Sequence, residues 1–523
     1  MRPFRIVVLC AVCASASLLA QKPVISLGGI VNAASLAPAS GPGHAIAPGS
    51  IASLFGQNLA ATTASASGFP LPTTLAGTSL TVNGVAAPLF FVSPDQINFQ
   101  VPSATDSGTF TAYGRAVVIV TTAAGSSDPV IADSFMSALG LFTLNATGCG
   151  PGAILNVKPD GTVSVNSPAN SASPGDYIEI FGTGFGAVRN AQPDGVPATS
   201  DPLERFGYGV AAFFDGELSN GVFGGRAPGL VGVDQMNVIV PLDVRQGCAV
   251  PLQAQTRSTL SQPVTVSIHA GGGQCVDPPL GSAGQILLKK SVVLNDSTVP
   301  ESDTLTASFP ASPGKTSLPP AVLGIFDGIQ DAIPAPACPI PGYSTLNAGV
   351  ITMTGPGLSP TQIPPAVSNG NASYRASLPT GSIQPGAYQI SSTGGASLGP
   401  FQTVLNAGAG IQITSQFPKG PLRGIFPYTV NWTGGQPGAV VTLQVIAHLF
   451  NYDQISDMQV SATAGTVTLA QSQSFVEFGP DIEIRVTVSP DSAHIQTFSA
   501  SGLTLGGQAQ WQYEYRFIRL IGD

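Results

Sequence analysis

Apolar and polar residues alternate with a period of two in many short runs of this 523-residue chain. Every second residue is apolar in 97–101 and in 236–240, and DIEIRVTV at 481–488 alternates strictly. This pattern predicts β-strands with one packed face and one solvated face. The 62 glycines and 46 prolines recur between the apolar runs, where they predict turns, and the step from SLTVN at 79–83 into Gly84 predicts a hairpin turn. The sequence therefore predicts an all-β chain of many short strands.

The first half of the chain repeats itself. APGSIASLFGQNLA at 47–60 is echoed by SPGDYIEIFGTGFG at 173–186, and SPDQINFQVP at 93–102 is echoed by GVDQMNVIVP at 232–241. The offset is about the size of a domain and exceeds the roughly 20–50 residues of a solenoid repeat. We therefore expect two tandem copies of one β-domain, each with about seven strands, which is typical of a β-sandwich.

These motifs, with FFDG and the closing PVTVSIHAG, resemble the Solibacter uncharacterised C-terminal domain family of exported bacterial proteins. Both copies also resemble IPT/TIG domains, which are Ig-like sandwiches. The resemblance covers roughly 150–275, with 24–125 as a divergent second copy. It implies a fold and an exported location, and no activity is assigned to the family.

Length and turn composition predict four tandem Ig-like or TIG-like sandwiches, since 523 residues exceed what one core supports. The first two copies are placed at 21–146 and 147–280. A third sandwich with a start rich in Pro, Ser and Thr is placed at 281–407, and a fourth at 408–523.

Residues 1–20 have the pattern of a secretory signal peptide. Arg2 and Arg5 precede an apolar stretch and then small residues, so cleavage is expected after Ala16 or Ala20. The apolar run is shorter than the ~18 residues of a membrane span, and the mature chain has no other candidate. We therefore expect a protein that is secreted or held at the cell surface.

The charge balance argues against nucleic acid as a partner. The chain carries 19 basic and 28 acidic side chains, and cleavage at either site removes two of the basic ones. Binding to phosphate backbones requires a basic patch, and only Lys289 and Lys290 adjoin each other here. The expected partner is an extracellular protein or a polysaccharide, of unspecified identity.

Four cysteines remain after cleavage, and they allow three pairings. Cys248 and Cys275 stand at the open end of two apparently paired strands, so a disulfide between them is favoured. Cys149 and Cys338 would then pair by elimination. An exported chain makes oxidation plausible, whereas the mature chain contains no C-x-x-C, so zinc and thiol-redox interpretations have little support.

Candidate catalytic groups are few, and no cofactor, metal or catalytic residue is predicted. GTGFG at 182–186 lacks the serine of a nucleophile elbow and indicates a turn. Asp215 with Glu217, or Glu477 with Asp481 and Glu483, could be proposed for glycoside hydrolysis or for calcium, but neither set has a companion motif. Glu483 alternates with apolar residues and is expected to face solvent.

The Asp-Gln pair of each copy, Asp95-Gln96 and Asp234-Gln235, precedes the repeated strand. We interpret both aspartates as turn residues that bond backbone amides two residues on, because a repeated residue is expected wherever the fold requires it.

An aromatic strand near the C-terminus has two interpretations. Trp511, Tyr513 and Tyr515 share one face with Phe517. Either that face lies in the core, with Gln512, Glu514 and Arg516 outward, or it is a surface platform that stacks on sugar rings.

The leading prediction is an exported, non-enzymatic array of sandwiches with a structural, adhesive or binding role. The alternative is a carbohydrate-binding protein that uses the 511–517 strand, or an extracellular polysaccharide-acting enzyme.

Overall fold

The computed structural model describes residues 21–38, 44–105, 114–256, 259–294, 301–314, 342–368, 370–416, 427–449, 452–469 and 481–520. These residues form an all-β protein of several, mostly antiparallel, sheets, so the predicted fold class is confirmed. Within these ranges no helix is long and apolar enough to cross a membrane. The predicted signal peptide lies outside the described residues.

The first module spans residues 24–134 and contains eleven strands in two sheets, ordered β1-β2-β8-β7-β3 and β10-β9-β5-β4, with β11 paired to β9 and β6 to β5. A 3-10 turn follows β8 at Ser103–Thr105. The strands are β1 Val24–Asn32, β2 Ile51–Gln57, β3 Ala64–Ser65, β4 Thr74–Leu75, β5 Thr78–Val82, β6 Val85–Ala86, β7 Leu89–Val92, β8 Gln96–Gln100, β9 Gly114–Thr122, β10 Gly125–Ser126 and β11 Val130–Ser134.

The second module spans residues 140–268 and repeats the β2-β8-β7 order of the first as β15-β18-β17. Its strand β17 pairs first with β16 and then, beyond a bulge, with β18, so it joins both layers. The strands are β12 Gly140–Leu141, β13 Ile154–Val157, β14 Val163–Val165, β15 Tyr177–Thr183, β16 Val210–Phe214, β17 Glu217–Arg226, β18 Asp234–Ile239, β19 Gly247–Thr256, β20 Thr259–Leu260 and β21 Val264–Ile268.

The remaining strands belong to a C-terminal unit that also contains a 3-10 turn at Ala462–Ala464. They are β22 Leu280–Ser282, β23 Gly284–Val293, β24 Ser302–Ser308, β25 Pro310–Pro313, β26 Ser344–Thr345, β27 Ile351–Gly355, β28 Leu358–Ile363, β29 Ala366–Ser368, β30 Asn371–Leu378, β31 Gly386–Ser392, β32 Phe401–Ala407, β33 Ile411–Ile413, β34 Tyr428–Gly434, β35 Ala439–Leu449, β36 Tyr452–Ser461, β37 Thr466–Leu469, β38 Asp481–Pro490, β39 Gln496–Phe498 and β40 Gly507–Leu520.

The segments predicted as a third and a fourth sandwich share one sheet. Its order is β29-β30-β24-β23-β40-β38-β35-β36, and β23 lies parallel to β40 from Gly284 opposite Gly507 onward. One continuous buried cluster includes Leu288 and Leu305 together with Val441 and Ile484. The boundary expected at 407 therefore does not separate two cores, and the described residues hold three large buried clusters where four were expected.

The alternation read from the sequence places the predicted residues in the cores. Ile97 and Phe99 of β8 are fully buried, as are Met236 and Val238 of β18. The hairpin predicted at Gly84 is also present, because Asn83 and Gly84 both have positive φ between β5 and β6. Burial of these apolar faces is the main stabilising contribution to each module.

The two modules contact each other through hydrogen bonds that span the duplication. The Thr183 hydroxyl accepts from the Ile51 amide at 2.8 Å and donates to the carbonyl of Gly232 at 2.7 Å. Gln100 Oε1 accepts from the Gly195 amide at 2.6 Å. The junction thus joins the start of β2 and the end of β8 in the first module to the end of β15 and the loop at Gly195 in the second.

Candidate functional site

Asp234, the aspartate of the second Asp-Gln pair, is a buried structural anchor. Its carboxylate is fully buried, forms an ion pair with Arg226, and accepts the amide of Phe185 at 2.8 Å. Burial raises the pKa of Asp234 to about 6, while the Arg226 charge acts in the opposite direction. The predicted bond to an amide two residues on is therefore wrong, because the amide belongs to a neighbouring segment.

That segment is the GTGFG turn, which is confirmed as a turn. Gly184 has a φ of +80°, and a Cβ there would lie 2.2 Å from the carbonyl oxygen of Ala138. Only glycine fits this backbone without displacement. Asp234 and Gly184 together fix the end of β15 against β18.

Asp95, the aspartate of the first pair, does not repeat this role. It is exposed, and its Oδ1 accepts from the Ser93 hydroxyl at 2.6 Å. The amide of Gln96 donates to the Ser93 oxygen at 2.9 Å, so Ser93 sets this turn. The two aspartates are therefore not equivalent.

The glutamine and the asparagine of the repeated strand have the same arrangement in both copies. Gln96 Nε2 donates to Asn98 Oδ1 at 2.8 Å, and Gln235 Nε2 donates to Asn237 Oδ1 at 2.9 Å. All four side chains are half-buried on the sheet face opposite the core. Each copy thus presents a pair of linked primary amides outward.

A phenylalanine stands beside each glutamine. Phe55 of β2 lies opposite Gln96, and Phe181 of β15 lies opposite Gln235. Directly opposed residues of an antiparallel pair share one face, with Cβ atoms about 4.5–5.5 Å apart. Phe55 is 36% exposed, whereas Phe181 is half-buried.

A second phenylalanine stands beside each asparagine, and a β-bulge precedes it in both copies. Phe91 lies opposite Asn98 after a register shift at Leu89, and Phe223 lies opposite Asn237 after a shift at Gly221. Bulges re-aim side chains and are frequent near functional sites. We name each set of four residues a platform: the first is Phe55, Gln96, Asn98 and Phe91, and the second is Phe181, Gln235, Asn237 and Phe223.

The platforms differ in their neighbours. Ser53 donates its hydroxyl to Asn98 at 3.0 Å, whereas Asn237 donates to Glu179 at 3.4 Å. The guanidinium of Arg205 lies 4.8 Å from the ring centroid of Phe223. The second platform therefore has one carboxylate and one cation at its edge, and the strand neighbours of the first are uncharged.

The prediction that the C-terminal aromatic strand forms an exposed sugar-stacking surface is wrong. Trp511 and Tyr513 are 3% and 5% exposed and belong to the core of the C-terminal unit. Tyr513 and Tyr515 donate their hydroxyls to the carbonyls of Gly408 and Ile411, at 3.0 and 2.8 Å. The apolar face of β40 is therefore covered, and it holds the 408–411 segment in place.

The opposite face of this sheet is also buried, which corrects three predictions of solvent exposure. Glu483 is 1% exposed, and Gln512 and Glu514 are similarly enclosed. Glu483 accepts hydrogen bonds from Arg485 at 2.8 Å and from Arg516 at 2.9 Å. Alternation identified two faces correctly, but ion pairing allows the charged face to be enclosed.

Asp215 and Glu217, the described pair of carboxylates considered for catalysis, stand at one hairpin turn and not across a cleft. Asp215 accepts from Arg245 at 2.6 Å and from the hydroxyl of Tyr343 at 2.7 Å, whereas Glu217 is exposed at the start of β17. Glu477 and the side chain of Asp481 lie outside the described residues. In the part of the chain that the structure describes, no three His, Cys, Asp or Glu residues are placed to hold a metal ion.

Cys248 and Cys275 are joined by a disulfide, with Cα atoms 5.3 Å apart. The bond links the start of β19 to the loop after β21. Cys149 is also disulfide-bonded. Because the predicted partner Cys338 lies outside the described residues, that pairing stays a prediction.

The comparisons with known proteins do not assign the chain to a family. No family model and no curated protein matches it. Solved structures that match include a tetra-tandem repeat in the extending region of a large adhesion protein, at 10% identity over 95% of this chain and 99% of that chain, with a TM-score of 0.12. The chicken CNTN1 FN1-FN3 domains match at 11% identity over 61% and 90%, and domains 4-9 of the surface layer protein SbsC at 10% over 88% and 76%, both with a TM-score of 0.14. These likenesses are too weak to carry an argument about function.

The platform phenylalanines were missed when the sequence was read for chemistry. One signal for two of them was available in the sequence, because Phe-Gly recurs near the ends of β2 and β15, at 55–56 and 181–182. The other two are placed by bulges, which a period of two does not reveal.

Proposed function

We propose that this protein is exported and acts outside the cell as a non-enzymatic, multi-domain β-sandwich protein with an adhesive, structural or binding role. We include membership of the Solibacter uncharacterised C-terminal domain family in this proposal. The observation that carries it is the duplicated platform. Two modules repeat the same strand order and place two phenylalanines, one glutamine and one asparagine on the outer sheet face, which is the design expected of a repeated contact surface.

The surroundings of the acidic side chains support a role other than catalysis. Asp215 is held by Arg245 and Tyr343, and Glu483 by Arg485 and Arg516. Both side chains are therefore engaged within the fold, whereas glycoside hydrolysis needs two carboxyl groups that face each other across a cleft. The disulfide between Cys248 and Cys275 suits an oxidising location outside the cytoplasm.

Fractionation of cells that express the full chain tests the location. We expect the protein in the medium or on the cell surface, where it is cleaved by added protease, with a new N-terminus after Ala16 or Ala20. A chain that keeps residues 1–20 and stays in the cytosol would overturn the proposal. A cytosolic protein of the same expression level serves as the control for lysis.

A further inference from the structure

We infer that the two platforms bind a neutral polysaccharide chain. This inference rests on the proposed function, because such a polymer is met outside the cell. It names a class of ligand for that function, and the site it names is separate from the buried 511–517 strand. The site is an open sheet face rather than a cavity, which suits a long polymer over a small molecule.

The first step concerns accessibility. Phe55 is 36% exposed on the outer face of β2, and Tyr177, on the outer face of β15, is 45% exposed. Val163 and Val165 extend the same outer face of the second module along β14 and are 52% and 49% exposed. Exposed apolar side chains that are grouped on one sheet face commonly mark an interaction site.

The second step concerns hydrogen bonding. A primary amide offers both donors and acceptors, as a sugar hydroxyl does. In each platform the link from Gln Nε2 to Asn Oδ1 uses one donor of the glutamine and fixes the orientation of both amides. In the first platform, the Gln96 carbonyl oxygen and the Asn98 amino group can then bond ligand hydroxyls. Phe55 and Phe91 lie opposite them on the two neighbouring strands and can stack on the apolar faces of sugar rings.

The third step concerns charge. The platform side chains are uncharged, Arg205 is placed over the ring of Phe223, and the carboxylate of Glu179 lies beside Asn237. The chain as a whole has a net charge of −9, which disfavours association with polyanions. The site therefore matches a neutral polymer better than an acidic polysaccharide.

The fourth step concerns the duplication. Two platforms on one chain offer a repeating polymer two places to bind, and a polymer that spans both makes its second contact at a high effective concentration. Loss of one platform should therefore weaken binding strongly, and loss of both should abolish it. A repeating ligand is the kind for which two copies of the same platform are useful.

The test measures retention of the full mature chain on microcrystalline cellulose, chitin and insoluble xylan, with alginate beads as an anionic comparison. We expect retention on at least one neutral polymer. Phe55→Ala or Phe181→Ala should each reduce the affinity about tenfold, and the double variant should abolish retention. Ile131→Ala and Leu218→Ala, which remove exposed side chains on the other sheets of the two modules, should bind as the wild type does.

A second double variant, Gln96→Ala with Gln235→Ala, removes the two glutamine amides and leaves the four phenylalanines in place. It tests the inference even if the phenylalanine variants fail to fold. The inference is overturned if no neutral polymer retains the wild type, if only alginate does, or if the double variants bind unchanged. It is also overturned if the variants alter only self-association in sedimentation. If the protein is found outside the cell but fails these assays, only this inference is overturned. If the protein stays in the cytosol, the proposed function is overturned.

Discussion

The carboxylate of Asp234 is paired with the guanidinium of Arg226, both almost wholly enclosed, at the point where β17 and β18 meet the GTGFG turn. Asp95, at the corresponding sequence position of the first copy, is exposed, and its carboxylate accepts the Ser93 hydroxyl within its own turn. The repeated Asp-Gln pair therefore separates into two parts. The aspartate is a buried anchor in the second module and not in the first, whereas the glutamine bonds an asparagine on the outer sheet face in both modules.

Asp234→Ala should destabilise the second module strongly, because it leaves Arg226 buried without its counter-ion. Removing one partner of a buried pair costs about 3–5 kcal/mol. In calorimetry of the full chain, the transition of the second module should move down by about 10 °C or more. Asp95→Ala is the matched control and should shift its module by much less; equal shifts would contradict the assignment.

The Asp234 carboxyl should also give the second module a characteristic pH dependence. Because burial raises its pKa to about 6, the folded module binds more protons than the unfolded chain between about pH 4 and pH 6. This group's stabilising contribution is therefore present at low pH and is lost, by about 3 kcal/mol, as the pH rises through that window.

Asp234→Asn removes this titration and isolates the effect. Relative to that variant, the wild-type transition should lie higher at pH 4 than at pH 7 when both are followed by calorimetry. A wild type that gains stability relative to the variant on going to pH 7 would show that the carboxylate, rather than the carboxylic acid, is favoured at this position.

Trp511→Ala should damage the C-terminal core without affecting the platforms. A truncated core tryptophan costs about 3–5 kcal/mol, and its ring packs 5.5 Å from that of Tyr513. The chain has two tryptophans, and Trp432 lies in the same buried cluster. The emission of Trp432 during urea unfolding should therefore report the loss, while retention on the neutral polymers stays unchanged. Loss of retention at unchanged stability would restore the strand as a binding surface.

Replacing Cys248 and Cys275 together by serine should destabilise the second module by about 3–4 kcal/mol, because the bond closes a loop with a sequence separation of 27 residues. Protease digestion at rising temperature should cleave the variant between β19 and β21 first. If the variant resists cleavage as well as the wild type, the disulfide contributes little to the folded module.

Strand faces and tight turns could be predicted from the sequence, because they depend on residues close together in the chain. Alternation identified Ile97, Phe99, Met236 and Val238 as core residues, and the Asn-Gly pair at 83–84 identified a hairpin. These positions depend on strand period and turn chemistry, which act within a few residues. The same rules located the repeated strand of both modules.

Features that depend on distant parts of the chain were not predictable in this way. The parallel pairing of β23 with β40 joins residues more than two hundred positions apart, so the boundary at 407 does not separate two cores. Glu483 looked solvent-facing because alternation gives the face of a side chain and not what covers it. Its burial depends on Arg485 and Arg516, which neutralise its charge.

Carbene footprinting of the full chain with and without a retained neutral polymer tests the central claim most directly. We predict that the ligand reduces labelling of two separate regions, 53–57 with 89–98 and 177–183 with 221–239, in equal proportion, and leaves 511–517 unchanged. Protection of one module only, or protection confined to the C-terminal unit, would contradict the claim that the duplicated platforms form the binding surface.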